Sequence, residues 1–131
     1  MKNLLFLPLA FLLVVGCTSK TETLKDEVMA IHDEVMPRMQ DIMNLKKQAR
    51  QQIDSLSSDT LSQDARIEEL EQLIQELEEA DEAMMGWMRA YKRNFEGSDE
   101  EYMEYLMGEK QKIQQVRDEM MEAINEAEAT L

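Results

Sequence analysis

After residue 17 this chain contains one proline, Pro37, and apolar residues return every three or four positions almost to its last residue. A 3.6-residue period, with no stretch of period 2, restricts such a chain to helices packed on helices. Leu24, Val28, Ile31, Val35, Ile42, Leu45, Ala49 and Leu56 make the first run, with Arg38 and Gln52 filling gaps in the same register. It stops at Ser55-Leu56-Ser57-Ser58-Asp59-Thr60, a cluster of turn and cap formers. Ile67, Leu70, Ile74, Leu77, Asp81, Met84, Met88, Tyr91 and Phe95 form a second, heptad-like run. Gly97 predicts a left-handed stop to that helix, and Ser98-Asp99-Glu100-Glu101 a capping box that starts the next. Tyr102, Leu106, Ile113, Val116, Met120, Ile124 and Ala127 carry the third apolar line towards Leu131.

The expected fold is therefore all-α, with helices over about 24–56, 62–96 and 99–130. Each is on the order of 50 Å long. Similar lengths and short turns predict an antiparallel up-down-up three-helix bundle. The alternative is a long helical hairpin whose third helix is exchanged into a dimer, so an oligomer is open. Centring the first turn near residue 59 or 60 places Arg38 level with Asp81, each a charge in an apolar seam. Buried singly either would be costly, so the two are expected to form a structural ion pair that fixes register. Gly86 and Gly108 fall on outward faces and weaken their helices by roughly 1 kcal/mol each relative to alanine. Pro37 removes a helical hydrogen bond to the Asp33 carbonyl, so the first helix either kinks or divides there.

Beside the first seam runs a second line: Met29, His32, Met36, Met39 and Met43, spaced by 3 and 4. It widens the apolar face of that helix to roughly 160°, against the ~100° usual for a one-sided helix. His32 is the only histidine, and the methionines number 12. Thioether and imidazole donors without thiolates suit Cu(I) or Ag(I), which makes His32, Met29 and Met36 the candidate metal ligands. The same stripe also reads as core filling or as an adaptable binding groove, because methionine is flexible and packs well. Haem held by a His/Met pair is disfavoured by the tight core of three helices. Which of these holds depends on whether the third helix covers the line.

No catalytic chemistry assembles from this sequence. It contains no serine–histidine–acid set, no phosphate-cradling glycine loop, and no HExxH or cysteine-based zinc spacing. The chain is expected not to be an enzyme and to need no resident cofactor. Fourteen Lys and Arg against 28 Asp and Glu give a net charge of −14, which argues against nucleic acid as a partner.

The first residues have a separate purpose. Lys2 followed by the apolar run Leu4–Val15 is too short to span a bilayer, where about 20 residues are needed. The run ends in Val14-Val15-Gly16-Cys17, and Cys17 is the only cysteine, so no intrachain disulfide can form. This segment resembles a bacterial lipoprotein signal with its lipobox. The resemblance implies removal of residues 1–16, a diacylglyceryl group on Cys17 and a short polar tether to residue 23. It also implies a lipid-anchored place in the cell envelope, and Thr18 after the cysteine favours the outer membrane. Together with Glu27-Val28-Met29-Ala30-Ile31-His32-Asp33-Glu34-Val35-Met36-Pro37, the lipobox also makes the chain similar to small helical lipoproteins labelled "viral A-type inclusion protein". That label reflects coiled-coil likeness and implies no activity. The function expected is a membrane-anchored interaction or structural module, with another envelope protein as partner. The alternative is a soft-metal-binding or metal-responsive envelope protein that uses the His/Met stripe.

Overall fold

The computed structural model describes residues 19–58 and 63–131. The signal segment, Cys17 with Thr18, and the centre of the first turn lie outside the described residues. Four helices follow one another: α1 (Lys20–Val35), α2 (Met39–Ser57), α3 (Asp64–Ala90) and α4 (Asp99–Thr130). A 3-10 turn, Met36–Arg38, joins α1 to α2, so these two act as one broken rod. With α3 and α4 they form an all-α bundle of three rods.

Pro37 sits at the start of that break. The Met36 amide still bonds the His32 carbonyl, and the Met39 amide bonds back to Met36 and Pro37, so the helix tightens without separating. Above the break α1 packs chiefly against α4, and below it α2 packs chiefly against α3. The rod thus changes neighbour at the proline.

The register expected from the sequence is largely realised. Val28, Val35 and Ile42 of the first rod are fully buried, as are Leu70, Leu77 and Met84 of α3. From α4, Leu106, Ile113, Met120 and Ile124 join them. The inner line of α3 also takes in Leu73, Ala80 and Trp87, which the single heptad seam left out. Packed between α2 and α4, α3 buries two adjacent faces, so its buried strip is wider than one seam. At the far end Arg66 donates to Gln52 Oε1 at 3.2 Å and to the Thr130 carbonyl at 2.9 Å, joining all three rods. A guanidinium on the last carbonyls of α4 complements that helix's C-terminal dipole.

Three expectations are corrected. First, the stretch taken as a tether is helical from Lys20. Ser19 Oγ accepts the Glu22 amide at 3.1 Å and Glu22 reaches back to the Ser19 amide, a capping box one turn ahead of the first apolar residue. Second, α3 ends at Ala90, short of residue 96, with Tyr91 already extended. Gly97 has no positive φ and makes no left-handed stop.

Third, Arg38 and Asp81 do not pair. Arg38 meets Asp41 at 3.0 Å and Glu128 at 3.8 Å, while Asp81 faces Lys46 at 4.0 Å. The 3-10 turn alters the helical phase at Arg38 and leaves it beside α4, so heptad counting through the proline misplaces it. The capping box at Ser98 and Glu101 is formed as expected, with the Glu101 amide 3.2 Å from Ser98 Oγ. Bonds from the Ser98 backbone and hydroxyl hold the Glu101 carboxyl below its ordinary range.

Two glycines allow a paired test. A β-carbon on Gly97 would lie 2.6 Å from the Phe95 ring and 2.9 Å from the Glu101 carboxylate, whereas one on Gly108 meets nothing within 4 Å. Gly97→Ala is expected to destabilise the bundle by about 1–3 kcal/mol through crowding. Gly108→Ala is expected to stabilise it by about 0.5–1 kcal/mol through helix propensity. Urea melts of both variants check the opposite signs.

Candidate functional site

The chemistry-bearing side chains collect at one end of the bundle. There the last turns of α3, the 91–98 loop and the first turns of α4 meet, and α1 reaches the group through His32, which contacts α3. His32 comes from α1, Trp87 and Met88 from α3, Phe95 from the loop, and Tyr102, Tyr105 and Glu109 from α4. Ring contacts run through the group without a gap. His32 to Trp87 is 5.7 Å between centroids, Trp87 to Tyr91 5.0 Å, and Tyr91 to Tyr105 6.2 Å. Phe95 then stacks between Tyr105 at 5.0 Å and Tyr102 at 5.2 Å. Such offset, tilted pairs add modestly to the burial of the rings themselves. They also explain why α3 stops early: Tyr91 leaves the helix to reach Tyr105, whose hydroxyl accepts the Lys92 amide at 2.7 Å.

His32 occupies the inner edge of this group. Its Nδ1 lies 2.8 Å from Asp33 Oδ1, and its Nε2 lies 3.4 Å from Met88 Sδ. The sulfur against the ring therefore comes from α3. Met36 and Met39 are partly buried against the core, Met29 is half-buried, and Met43 is 56 % exposed. The stripe expected as one feature is divided: core in its middle, open at Met43, and engaged at His32 by a residue from another helix. Among the described residues no three of His, Cys, Asp and Glu come together in a way that could hold a metal ion.

Glu109 was not singled out from the sequence. It is 3 % exposed, with Oε1 2.8 Å from Lys112 Nζ and Oε2 buried without a hydrogen-bond partner in the protein. The signal was present as a gap: the apolar line of α4 steps from Leu106 to Ile113, and the seam position between them is Glu109. Its charge acts on its neighbours. It raises the pKa of Lys112 through their hydrogen bond and their Coulomb attraction. Burial pushes the Tyr91 phenol up, reinforced by Tyr102, Tyr105 and Glu109. Burial likewise raises Tyr105, against an opposing bond from the Lys92 backbone. The phenols thus stay protonated and act as hydrogen-bond donors or acceptors, not as bases.

Two of these hydroxyls differ in a way mutation can read. The Tyr91 hydroxyl is out of solvent and has no partner in the protein, whereas that of Tyr105 is bonded. Tyr105→Phe is expected to lose about 1 kcal/mol, and Tyr91→Phe to be neutral or stabilising by up to about 1 kcal/mol. Both phenols have folded pKa values above the ordinary 10.0, so their contribution is complete below that value and is lost as pH rises through the folded pKa. Alkaline melts should therefore show stability falling above pH 10, and less steeply in Tyr91→Phe. An equal loss in both variants at neutral pH would contradict the assignment. Comparison of the chain with protein-family models, with characterised proteins and with solved structures gives no match.

Proposed function

We propose that this chain is a non-catalytic envelope lipoprotein, anchored through a lipid on Cys17, whose bundle acts as an interaction or structural module close to the membrane. The observation that carries this reading is the start of the fold. Ser19 caps α1, and Cys17 is only two residues earlier, so the anchor and the first helix are at most about 7 Å apart along the chain. A bundle so closely tethered cannot range far from the surface, and its N-terminal end faces the bilayer.

That end suits the position. A shallow groove there is lined by Lys20, Leu24, Met103 and Met107, with Met107 57 % exposed. The aromatic 91–98 loop lies at the same end, because α4 begins there and runs parallel to α1, with Lys110 paired to Glu27 at 2.7 Å. No helix of the described residues is long and apolar enough to cross a membrane, so attachment in this reading depends on the lipid. Thr18 after Cys17 favours the outer membrane. The partner in this reading is another envelope protein, met by the Met-bearing surface.

Cys17→Ser tests the anchor. The variant is expected either to appear in the soluble periplasmic fraction or to remain as unprocessed precursor. Continued membrane attachment together with normal maturation would contradict the reading.

A further inference from the structure

The His32 ring is held from one side. A carboxylate only accepts, so the 2.8 Å contact with Asp33 Oδ1 puts the hydrogen on Nδ1 and leaves the lone pair of the neutral imidazole on Nε2. That lone pair faces the Met88 thioether across 3.4 Å, and sulfur has no hydrogen to give it. Two soft donor atoms from different helices are therefore in direct contact. We propose that His32 Nε2 and Met88 Sδ form a binding site for a soft monovalent cation, Cu(I) or Ag(I), with Asp33 as the positioning residue.

The spacing is close to a chelating one. Bonds of about 2.0 Å to imidazole nitrogen and 2.3 Å to sulfur, the lengths around a zinc-sized ion, place two donor atoms about 3.5 Å apart at a tetrahedral angle. The longer bonds of Ag(I) ask for a somewhat wider bite, which the flexible Met88 side chain can give. Neutral thioether and imidazole donors select soft ions over magnesium, calcium or zinc. The His32 side chain is 16 % exposed, so the site has a way in and its remaining coordination positions can be filled by solvent. Trp87 lies beside the imidazole, 5.7 Å between ring centroids, close enough to report on an ion bound there. Asp33 plays the part that carboxylates commonly play behind a metal-bound histidine, fixing the tautomer and the ring orientation. The site does not depend on lipid attachment, and it replaces the ligand set expected along α1 with one formed between α1 and α3.

The test is titration of the full chain in detergent with Ag(I), in chloride-free buffer, read by quenching of Trp87, the only tryptophan. One saturable equivalent is expected, with the His32 Nε2 resonance shifting and the Nδ1 hydrogen retained in a nitrogen–proton correlation. Met88→Leu, a nearly volume-conserving change, is expected to abolish the saturable phase while the helical dichroism persists. Asp33→Asn, at an exposed position, is expected to weaken binding by roughly 10–100-fold. Met43→Leu and Met107→Leu, at exposed thioethers, are expected to leave it unchanged. Equal binding in parent and Met88→Leu, or uptake lost only with Met43 and Met107, overturns the proposal. Should Met88→Leu unfold, Asp33→Asn decides, and unchanged affinity there also overturns it.

Discussion

Pro37 has no amide hydrogen to give the Asp33 carbonyl, so a straight first helix is not available to this chain. The local answer is a single 3-10 turn, Met36–Arg38, and its consequence is global. The first rod lies against α4 before the break and against α3 after it. One stretch of sequence thereby packs on two neighbours in succession. A three-helix bundle needs each rod to bury a strip against both others, and here the break accomplishes that for the first rod. His32 is in the last turn of α1, where the rod is about to turn towards α3, and this is why its ring reaches Trp87 and Met88.

The fold was readable because its determinants are local and periodic. Ser98 and Glu101 are three residues apart and cap α4 as their spacing requires. Val28 and Val35 in α1, or Ile113, Met120 and Ile124 in α4, are fully buried because they follow the helical repeat within one unbroken helix. Where the phase changes, counting fails. Arg38 sits inside the 3-10 turn and meets Asp41 and Glu128, and Asp81 is left to Lys46. The early end of α3 was hidden for another reason. Tyr91 and Phe95 continue the heptad, but the ring contacts that draw them off the helix come from α4, far away in sequence.

The residues around His32 were legible in composition but not in arrangement. His32 and the methionines stand out in the sequence by residue type alone. Which sulfur faces the imidazole is a question of how α1 and α3 are rotated about their axes, and helix periodicity along α1 cannot answer it. Met29 and Met36 share a line with His32, yet the thioether at 3.4 Å belongs to Met88. Glu109 shows the complementary case. A polar residue in a seam leaves only a gap in an apolar pattern, and the gap acquires meaning once Lys112 and Tyr91 are seen around it.

These features share one premise, that α1 and α4 run parallel within one chain while α2 faces α3. Zero-length carbodiimide coupling reads it directly, because it joins a lysine to a carboxylate only where the two already touch. Glu27 and Lys110 are 2.7 Å apart, and Lys46 and Glu78 3.8 Å. In an equal mixture of nitrogen-14 and nitrogen-15 protein, both couplings are expected within single chains, with no mixed-isotope product. Mixed-isotope Glu27–Lys110 peptides would mean that α4 is exchanged between copies. Lys46 coupled to α4 in place of Glu78 would mean that the rod does not change neighbour at Pro37.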